Sequence, residues 1–319
     1  MRIVVAIGDM LVRQALSLHE LRAEAALVGS RLAGIAAHHD LVITLGSGVQ
    51  SSLLGWRAAD SGAAAGPHAE GPELQRELLA SHLLRLELAN ALPVDKPIVS
   101  ILTTTEVDPR DPAFDEPTAT VGPSYDALQA TRISEQQQWA LRPEGSLWRR
   151  AVPRPEPQRV LESQPIEWLL TQECIVVCTP AAPVMYLPGT RTLATAEVVV
   201  DPLQVTALLA IDIDADQLAI TAVSRASLPA IPGADPHLHT VHPDDLATVR
   251  GHDGSVLREF QAADAFTRAT GNVTVLGELA DLPDLLAGTT GTQVTLSAAS
   301  HPDPTPSASV SALDRPGKS

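Results

Sequence analysis

Trp148-Arg149-Arg150-Ala151-Val152-Pro153-Arg154-Pro155-Glu156-Pro157-Gln158-Arg159-Val160-Leu161-Glu162 stands at the middle of a chain of 319 residues. Its prolines follow a tryptophan and a pair of arginines. Each proline fixes φ and removes a backbone donor, so the run reads as neither a helix nor a central strand. It reads instead as an extended connector crossing between two halves of one fold. Such a connector is expected to be ordered, with Trp148 mostly buried.

Working outward, short apolar runs alternate with long amphipathic ones. Arg2–Ile7 is a β-branched run ending at Gly8 and reads as a buried strand. The spacing from Gln14 to Ala37 predicts a helix, and Asp40–Leu45 a second strand closed by Gly46-Ser47-Gly48. Residues 53–70 are rich in Ala and Gly and include a loop. Glu73–Leu92 reads as a helix, and Pro97–Thr103 as a third strand. Residues 108–146 are poorer in pattern and read as an excursion or lid. Beyond the connector come a helical run at Pro165–Leu170 and a strand at Cys174–Cys178. Glu197–Val200 then leads to Asp201, followed by a helix through Asp212 and a strand at Gln217–Thr221. Ser255–Thr270 reads as a helix, and Val273–Leu276 and Thr292–Leu296 as strands. This alternation indicates βαβ units and an α/β fold. We expect a three-layer α/β/α sandwich with an open, mostly parallel sheet, in which Arg2–Ile7, Leu41–Leu45 and Pro97–Thr103 are neighbouring parallel strands. Residues 1–299 form that domain, and the Pro/Ser/Asp-rich tail, 300–319, is expected to be disordered.

The formal net charge is -16, which argues against nucleic-acid and anionic-membrane partners. No apolar run reaches the roughly 18 residues of a spanning helix. The chain opens on a strand pattern rather than a signal peptide, and a cytoplasmic location is expected. Cys174 and Cys178 lie in an apolar run and read as two small core residues. Lysine occurs at Lys96 and Lys318, and arginine supplies the remaining cationic side chains. His237, His239 and His242, with Asp235, Asp244 and Asp245, have spacing compatible with a metal site. Their Pro-rich setting favours a solvated loop instead.

The central run resembles the W-R-R-x-V-P-S-P-x-P connector of carbamate kinases, members of the amino-acid kinase superfamily. Asp108-Pro109-Arg110-Asp111-Pro112-Ala113-Phe114 matches their D-P-x-D-P-A-F, and Val121-Gly122-Pro123 the end of their P-T-K-x-I-G-P. Pro165–Leu170 matches P-I-x-W-L-L. The likeness runs from Arg2 to about Val294. It implies phosphoryl transfer between ATP and carbamate, giving ADP and carbamoyl phosphate, with ATP or ADP and magnesium as cofactors. It also implies a homodimer. Onto its nucleotide-binding and phosphate-binding turns fall Gly8, Gly46, Gly48, Asp201, Gly254 and Ser255.

The same alignment exposes departures. The first turn, G-G-N in the family, is Gly8-Asp9-Met10, which puts a carboxylate where phosphate charge belongs. The second, H-G-N-G-P-Q, is Leu45-Gly46-Ser47-Gly48-Val49-Gln50, where these residues alone favour a tight strand-to-helix turn over phosphate binding. The S-Q-G element falls on Leu74-Gln75-Arg76. The lysine of P-T-K falls on Ala119. The D-K-D motif is Asp201-Pro202-Leu203. The glycine-rich turn is shortened to Thr179–Val184, and the lysine of G-S-M-G-P-K becomes Glu259. Phosphoryl transfer depends on positioned cations, so two outcomes stand open: a carbamate kinase, or a catalytically degenerate scaffold serving as a binding or regulatory subunit. A third is transfer to another small acid. Arg76, Arg149, Arg150 and Arg258 could replace the lysines, and spacing singles out none of them. No catalytic residue is assigned from the sequence.

Overall fold

A computed structural model describes residues 1–7, 11, 17–46, 72–221, 238–248 and 258–297. The elements run in chain order β1 (Arg2–Ala6), α1 (Leu18–Ala36), β2 (Asp40–Thr44), α2 (Pro72–Ala91), β3 (Ile98–Val107), β4 (Ala119–Tyr125), α3 (Ala127–Gln137), β5 (Leu141–Glu144), β6 (Leu147–Val152) and β7 (Pro157–Val160). They continue with α4 (Ser163–Leu170), β8 (Ile175–Tyr186), β9 (Leu193–Thr195), α5 (Pro202–Asp212), β10 (Gln217–Ile220), β11 (Leu238–Val241), α6 (Arg258–Thr270), β12 (Val273–Leu276), α7 (Leu282–Leu286) and β13 (Gly291–Val294).

The main sheet has the order β11-β13-β12-β10-β1-β2-β8-β3-β7, with β9 added beside β8. From β12 to β3 every neighbouring pair is parallel, and antiparallel pairs appear toward the edges. Successive side chains of a strand face opposite ways, and both faces here are covered. Val4, Val42, Val176 and Cys178 pack with α4, α5 and α6. Ile3, Val5, Ile43 and Val177 pack with α1, α2 and α7. Two-sided burial explains why these strands are nearly unbroken apolar runs. This is the three-layer α/β/α sandwich expected. Helix α1 starts on a capping box, with Ser17 and Glu20 each bonding the other's backbone N–H.

Several expectations are corrected. The strands β1 and β2 are neighbours, but β8 lies between β2 and β3. The central run is ordered and extended, yet its first part is a central strand after all. Strand β6 pairs with β4 on one side and β5 on the other in a separate three-stranded antiparallel sheet. Its prolines begin only at Pro153, after the ladder has ended, so they break no pairing. They carry the chain to β7, an edge strand of the main sheet. Trp148 keeps a minor part of its surface exposed and is mostly buried, as expected. Glu197–Val200 joins no ladder; it is an extended segment whose valines are buried and whose Val199 N–H donates to the Pro153 carbonyl at 3.0 Å. Thr179–Val184 is not a turn but the continuation of β8, with a register shift opposite Thr103 and Thr104. Residues Leu238–Val241 form β11, parallel to β13, rather than a solvated loop. His237 and Asp235 lie outside the described residues, as do residues 53–70 and the tail from 300.

Among the described residues no helix is long and apolar enough to cross a membrane. Cys174 and Cys178 are both buried and unpaired, as their apolar setting implied. Burial pushes both thiols above their ordinary range.

Candidate functional site

The carboxyl ends of the parallel strands meet the amino ends of the helices that follow them, and in open α/β sheets ligands bind along this edge. Here β1 passes into Ile7, whose N–H donates to the Thr44 carbonyl at 3.1 Å. Strand β2 passes into Leu45, whose N–H donates to the Cys178 carbonyl at 3.0 Å. Strand β10 passes into Thr221, whose hydroxyl donates to the Ala6 carbonyl at 2.8 Å. The ladders therefore stay closed up to the edge, and the edge is rigid.

Asp201 opens α5 at this place. Its backbone is extended (φ -74°, ψ 120°), and its carboxylate accepts from the Leu203 N–H at 2.9 Å, an N-cap. Pro202 follows at the first helical position, where the missing N–H is one of the unused donors anyway. One turn on, the buried Thr206 hydroxyl donates to the Pro202 carbonyl at 2.8 Å and lies 2.9 Å from the Thr44 hydroxyl. This ties α5 to β2 directly beneath Gly46. A Cβ on Gly46 would stand 2.6 Å from the Pro202 Cβ. Gly46 is thus needed for close approach, and the D-K-D position and the second glycine turn are in contact.

Arg258 is the first residue of α6. Its Nη1 lies 3.4 Å from Asp201 Oδ2. Asp201 is 5% exposed, whereas the Arg258 side chain is 41% exposed. The two helices that start at the edge are therefore joined by an ion pair, with the acid inside and the base outside.

The other arginines named from the sequence serve the small sheet. Arg149 Nε donates to the Gly122 carbonyl at 2.9 Å, and its Nη1 to Glu144 at 3.3 Å. The buried Arg150 lies over the Trp139 ring, 4.2 Å from its centroid, and reaches Glu197 at 2.5 Å. Glu197 belongs to the segment leading to Asp201, so Arg150 anchors the excursion beside the candidate site. Ala119, at the lysine position of P-T-K, is buried with Val121, Val152 and Val199 in the seam between the two. The side chain of Arg76 lies outside the described residues.

Of the residues the sequence nominated, the structure brings Gly46 and Asp201 together. Gly8, Gly48, Gly254 and Ser255 lie outside the described residues, as do Asp9 and Met10. The pairing of Arg258 with Asp201 is not legible in the sequence: the motif likeness puts the family's lysine at Glu259, and a cation one position earlier carries no spacing signal. Among the described residues no group of three His, Cys, Asp or Glu side chains is placed to hold a metal ion. His242 and Asp244 do approach at 3.3 Å. The Asp244 carboxyl is held below its usual range, first by the Arg268 hydrogen bond.

A cavity of about 490 Å³ lies elsewhere, lined by Glu106, Asp108, Arg110, Gln158, Tyr186 and Thr190 among others. It includes part of the D-P-x-D-P motif. Tyr186 is the last residue of β8, well beyond Cys178, whose carbonyl bonds Leu45 at the Asp201 edge. This cavity and the Asp201 edge are therefore separate places.

The sequence matches no protein-family model. It is 35% identical over 308 residues to the carbamate kinase of Rhizobium meliloti, covering 93% of this chain and 94% of that one. It is 31% identical to the carbamate kinase of Haemophilus influenzae, covering 92% and 97%. Among solved structures, carbamate kinase from Giardia lamblia bound to AMP-PNP superimposes with a TM-score of 0.77 at 25% identity, covering 92% of this chain and 98% of that one.

Proposed function

Because the chain belongs to the carbamate kinase family, we propose that it is a phosphotransferase that binds ATP or ADP at the Asp201 edge and exchanges a phosphoryl group with carbamate. Turnover is expected at least about a thousandfold below that of a member with its lysines, since one charge-stabilising donor alone is worth roughly 10²–10³. The observation that carries the reading is the retained Asp201, which caps α5 at the sheet's carboxyl edge and holds a cation, Arg258, beside the Gly46 turn. A relative that binds AMP-PNP on the same fold supports a nucleotide of the ATP type.

The magnesium ion implied by the resemblance would be carried on the nucleotide phosphates rather than in a protein cage. Asp201 already takes the Leu203 N–H and Arg258. Magnesium would neutralise phosphate charge, and the chain's own part is to position that charge against α5 and Arg258.

One observation favours a second reading, a binding or regulatory subunit without transfer. Pro202 stands where the family has a lysine, has no N–H, and has its ring packed against Gly46. A coupled assay for ADP formation from ATP and carbamate separates the two. Slow turnover well below the roughly 1–100 per second common in kinases, and above the protein-free rate, supports transfer. ATP binding without turnover supports the subunit reading, and ordinary turnover removes the claimed impairment.

A cytoplasmic homodimer acting on small molecules completes the proposal, on the strength of the family. Strand β3 meets β7 only at Thr105–Val107 among the described residues, and Leu102, 44% exposed, lies on the edge so left. Light scattering gives the mass that tests the dimer.

A further inference from the structure

We propose that the cavity between the end of β3 and the β8–β9 hairpin is a second ligand site, built for a small amino acid with an apolar side chain. Glu106 receives the ammonium of that ligand and Arg110 its carboxylate. The inference is independent of the nucleotide reading, whose place is the Asp201 edge.

Two closed turns wall the cavity. On one side Asp108 and Pro109 open a four-residue turn, in which the Asp111 N–H donates to the Asp108 carbonyl at 3.0 Å. Aspartate first and proline second are what such a turn favours. The Asp108 carboxylate also accepts the Arg110 backbone N–H at 2.9 Å, and Nε and Nη2 of its guanidinium at 3.1 Å each. Arg110 is thereby folded back toward the strand. On the other side the Thr190 N–H donates to the Leu187 carbonyl at 3.0 Å, with Gly189 at φ 71° between them. That left-handed position is one glycine takes without strain. Both walls are in place before a ligand arrives, which lowers the cost of binding.

The lining decides the ligand. Arg159 places both of its bonds on Glu106 Oε2, at 3.0 and 2.7 Å, and leaves Oε1 as an acceptor. Asp108 takes Nε and Nη2 of Arg110 and leaves Nη1 as a donor. The Glu106 side chain is 22% exposed and that of Arg110 87%, so the acid lies inside and the base at the mouth. Between them Val107, Pro109, Leu187 and Pro188 supply apolar surface, and Leu187 is 39% exposed. A phosphate or other plain anion would meet two carboxylates, Glu106 and Asp108. A plain cation would meet Arg110 and Arg159 and leave the apolar wall bare. An α-amino acid satisfies the free acceptor and the free donor together, and its side chain covers Leu187 and the prolines. The volume of about 490 Å³ is that of a small-molecule site.

The test is calorimetric titration of the full chain with L-leucine, leucinamide and N-acetyl-leucine, using wild type, Arg110→Ala and Glu106→Gln, with melting temperatures to verify folding. Wild type should bind L-leucine, and its melting temperature should rise with leucine concentration by mass action. Leucinamide lacks the carboxylate and N-acetyl-leucine the ammonium, so each should bind at least about tenfold more weakly, the worth of one charged hydrogen bond. Arg110→Ala should weaken L-leucine by a similar factor and leave leucinamide unchanged. Glu106→Gln should weaken L-leucine and leave N-acetyl-leucine unchanged. Arg110 is an exposed side chain, so its variant decides the point even where Glu106→Gln loosens the Arg159 pair. A wild type that binds no L-leucine overturns the inference. So does a derivative that binds as tightly as leucine, or an equal loss of leucine and leucinamide in Arg110→Ala.

Discussion

Gly46 and Pro202 are in direct van der Waals opposition: a methyl group at residue 46 would sit 2.6 Å from the proline Cβ. The contact is between a residue just past a strand end and the first residue of a helix, tied together by the Thr44–Thr206 hydroxyl pair. Neither side can yield cheaply.

Gly46→Ala should therefore destabilise the chain by about 1–3 kcal/mol, the usual cost of overpacking a rigid contact. Pro202→Gly should recover a good part of that loss in the double variant, because it removes the Cβ that stands 2.6 Å away together with the rest of the ring. Chemical denaturation of the two singles and the double measures the coupling. Strict additivity of the two changes would show that the contact is not rigid.

A second prediction concerns the anchor of the small sheet. Arg150→Ala removes the stack on Trp139 and the ion pair with Glu197. Breaking a fully buried pair costs roughly 3–5 kcal/mol. The Glu197 side chain is 39% exposed and can be rehydrated, so about 2 kcal/mol is expected here. Amide exchange in residues 119–152 should rise more than in β1 or β2. Equal protection in both sheets would place the anchor elsewhere.

The sequence reading succeeded where burial is two-sided. Strands β1 and β2 are read from runs such as Ile3-Val4-Val5-Ala6 because both faces must be apolar. The length of β8 was hidden by Pro180 and Pro183, which ordinarily exclude a strand interior. They are tolerated because β2 has ended at the Leu45–Cys178 bond, leaving β8 bordered by β3 alone until β9 joins at Val184. A missing N–H on that open side breaks no ladder. At the site, Asp201 and Gly46 were legible as motif positions, while their contact through Pro202 and the Arg258 pairing are tertiary and leave no spacing in the sequence.

A third prediction follows from Asp212, the last residue of α5. Burial raises its carboxyl pKa above the ordinary value, opposed by the Ser163 hydroxyl, which donates at 2.9 Å. With the folded pKa above the unfolded one, ionised Asp212 opposes folding at neutral pH. That penalty fades as pH falls through the raised pKa, and is gone below the unfolded value of about 3.9. Asp212→Asn should therefore melt at a higher temperature than wild type at pH 7, and the gap should close on acidification toward pH 4. A gap that widens as pH falls would mean the carboxylate is stabilised in the fold instead.

The last prediction returns charge to the place where the family has it. Pro202→Lys puts an ammonium at the start of α5, with its Cβ where the proline Cβ now meets Gly46. Losing the proline should cost about 0.4–1 kcal/mol through the freer unfolded chain, and a cation at a helix start costs about 0.3–1 kcal/mol more. The fold should tolerate both. If phosphotransfer is slow because charge is missing, one restored donor should recover part of the roughly 10²–10³ that such a donor is worth. Turnover of ATP with carbamate is expected to rise at least about tenfold over wild type on that scale, with Pro202→Ala as the control that opens the same space without charge. A rise in Pro202→Lys alone would assign the impairment to electrostatics at α5. Equal rates in Pro202→Lys and Pro202→Ala, with nucleotide affinity retained in both, would mean that the lost lysine does not limit transfer, and the departures at Gly8-Asp9-Met10 would become the next positions to restore.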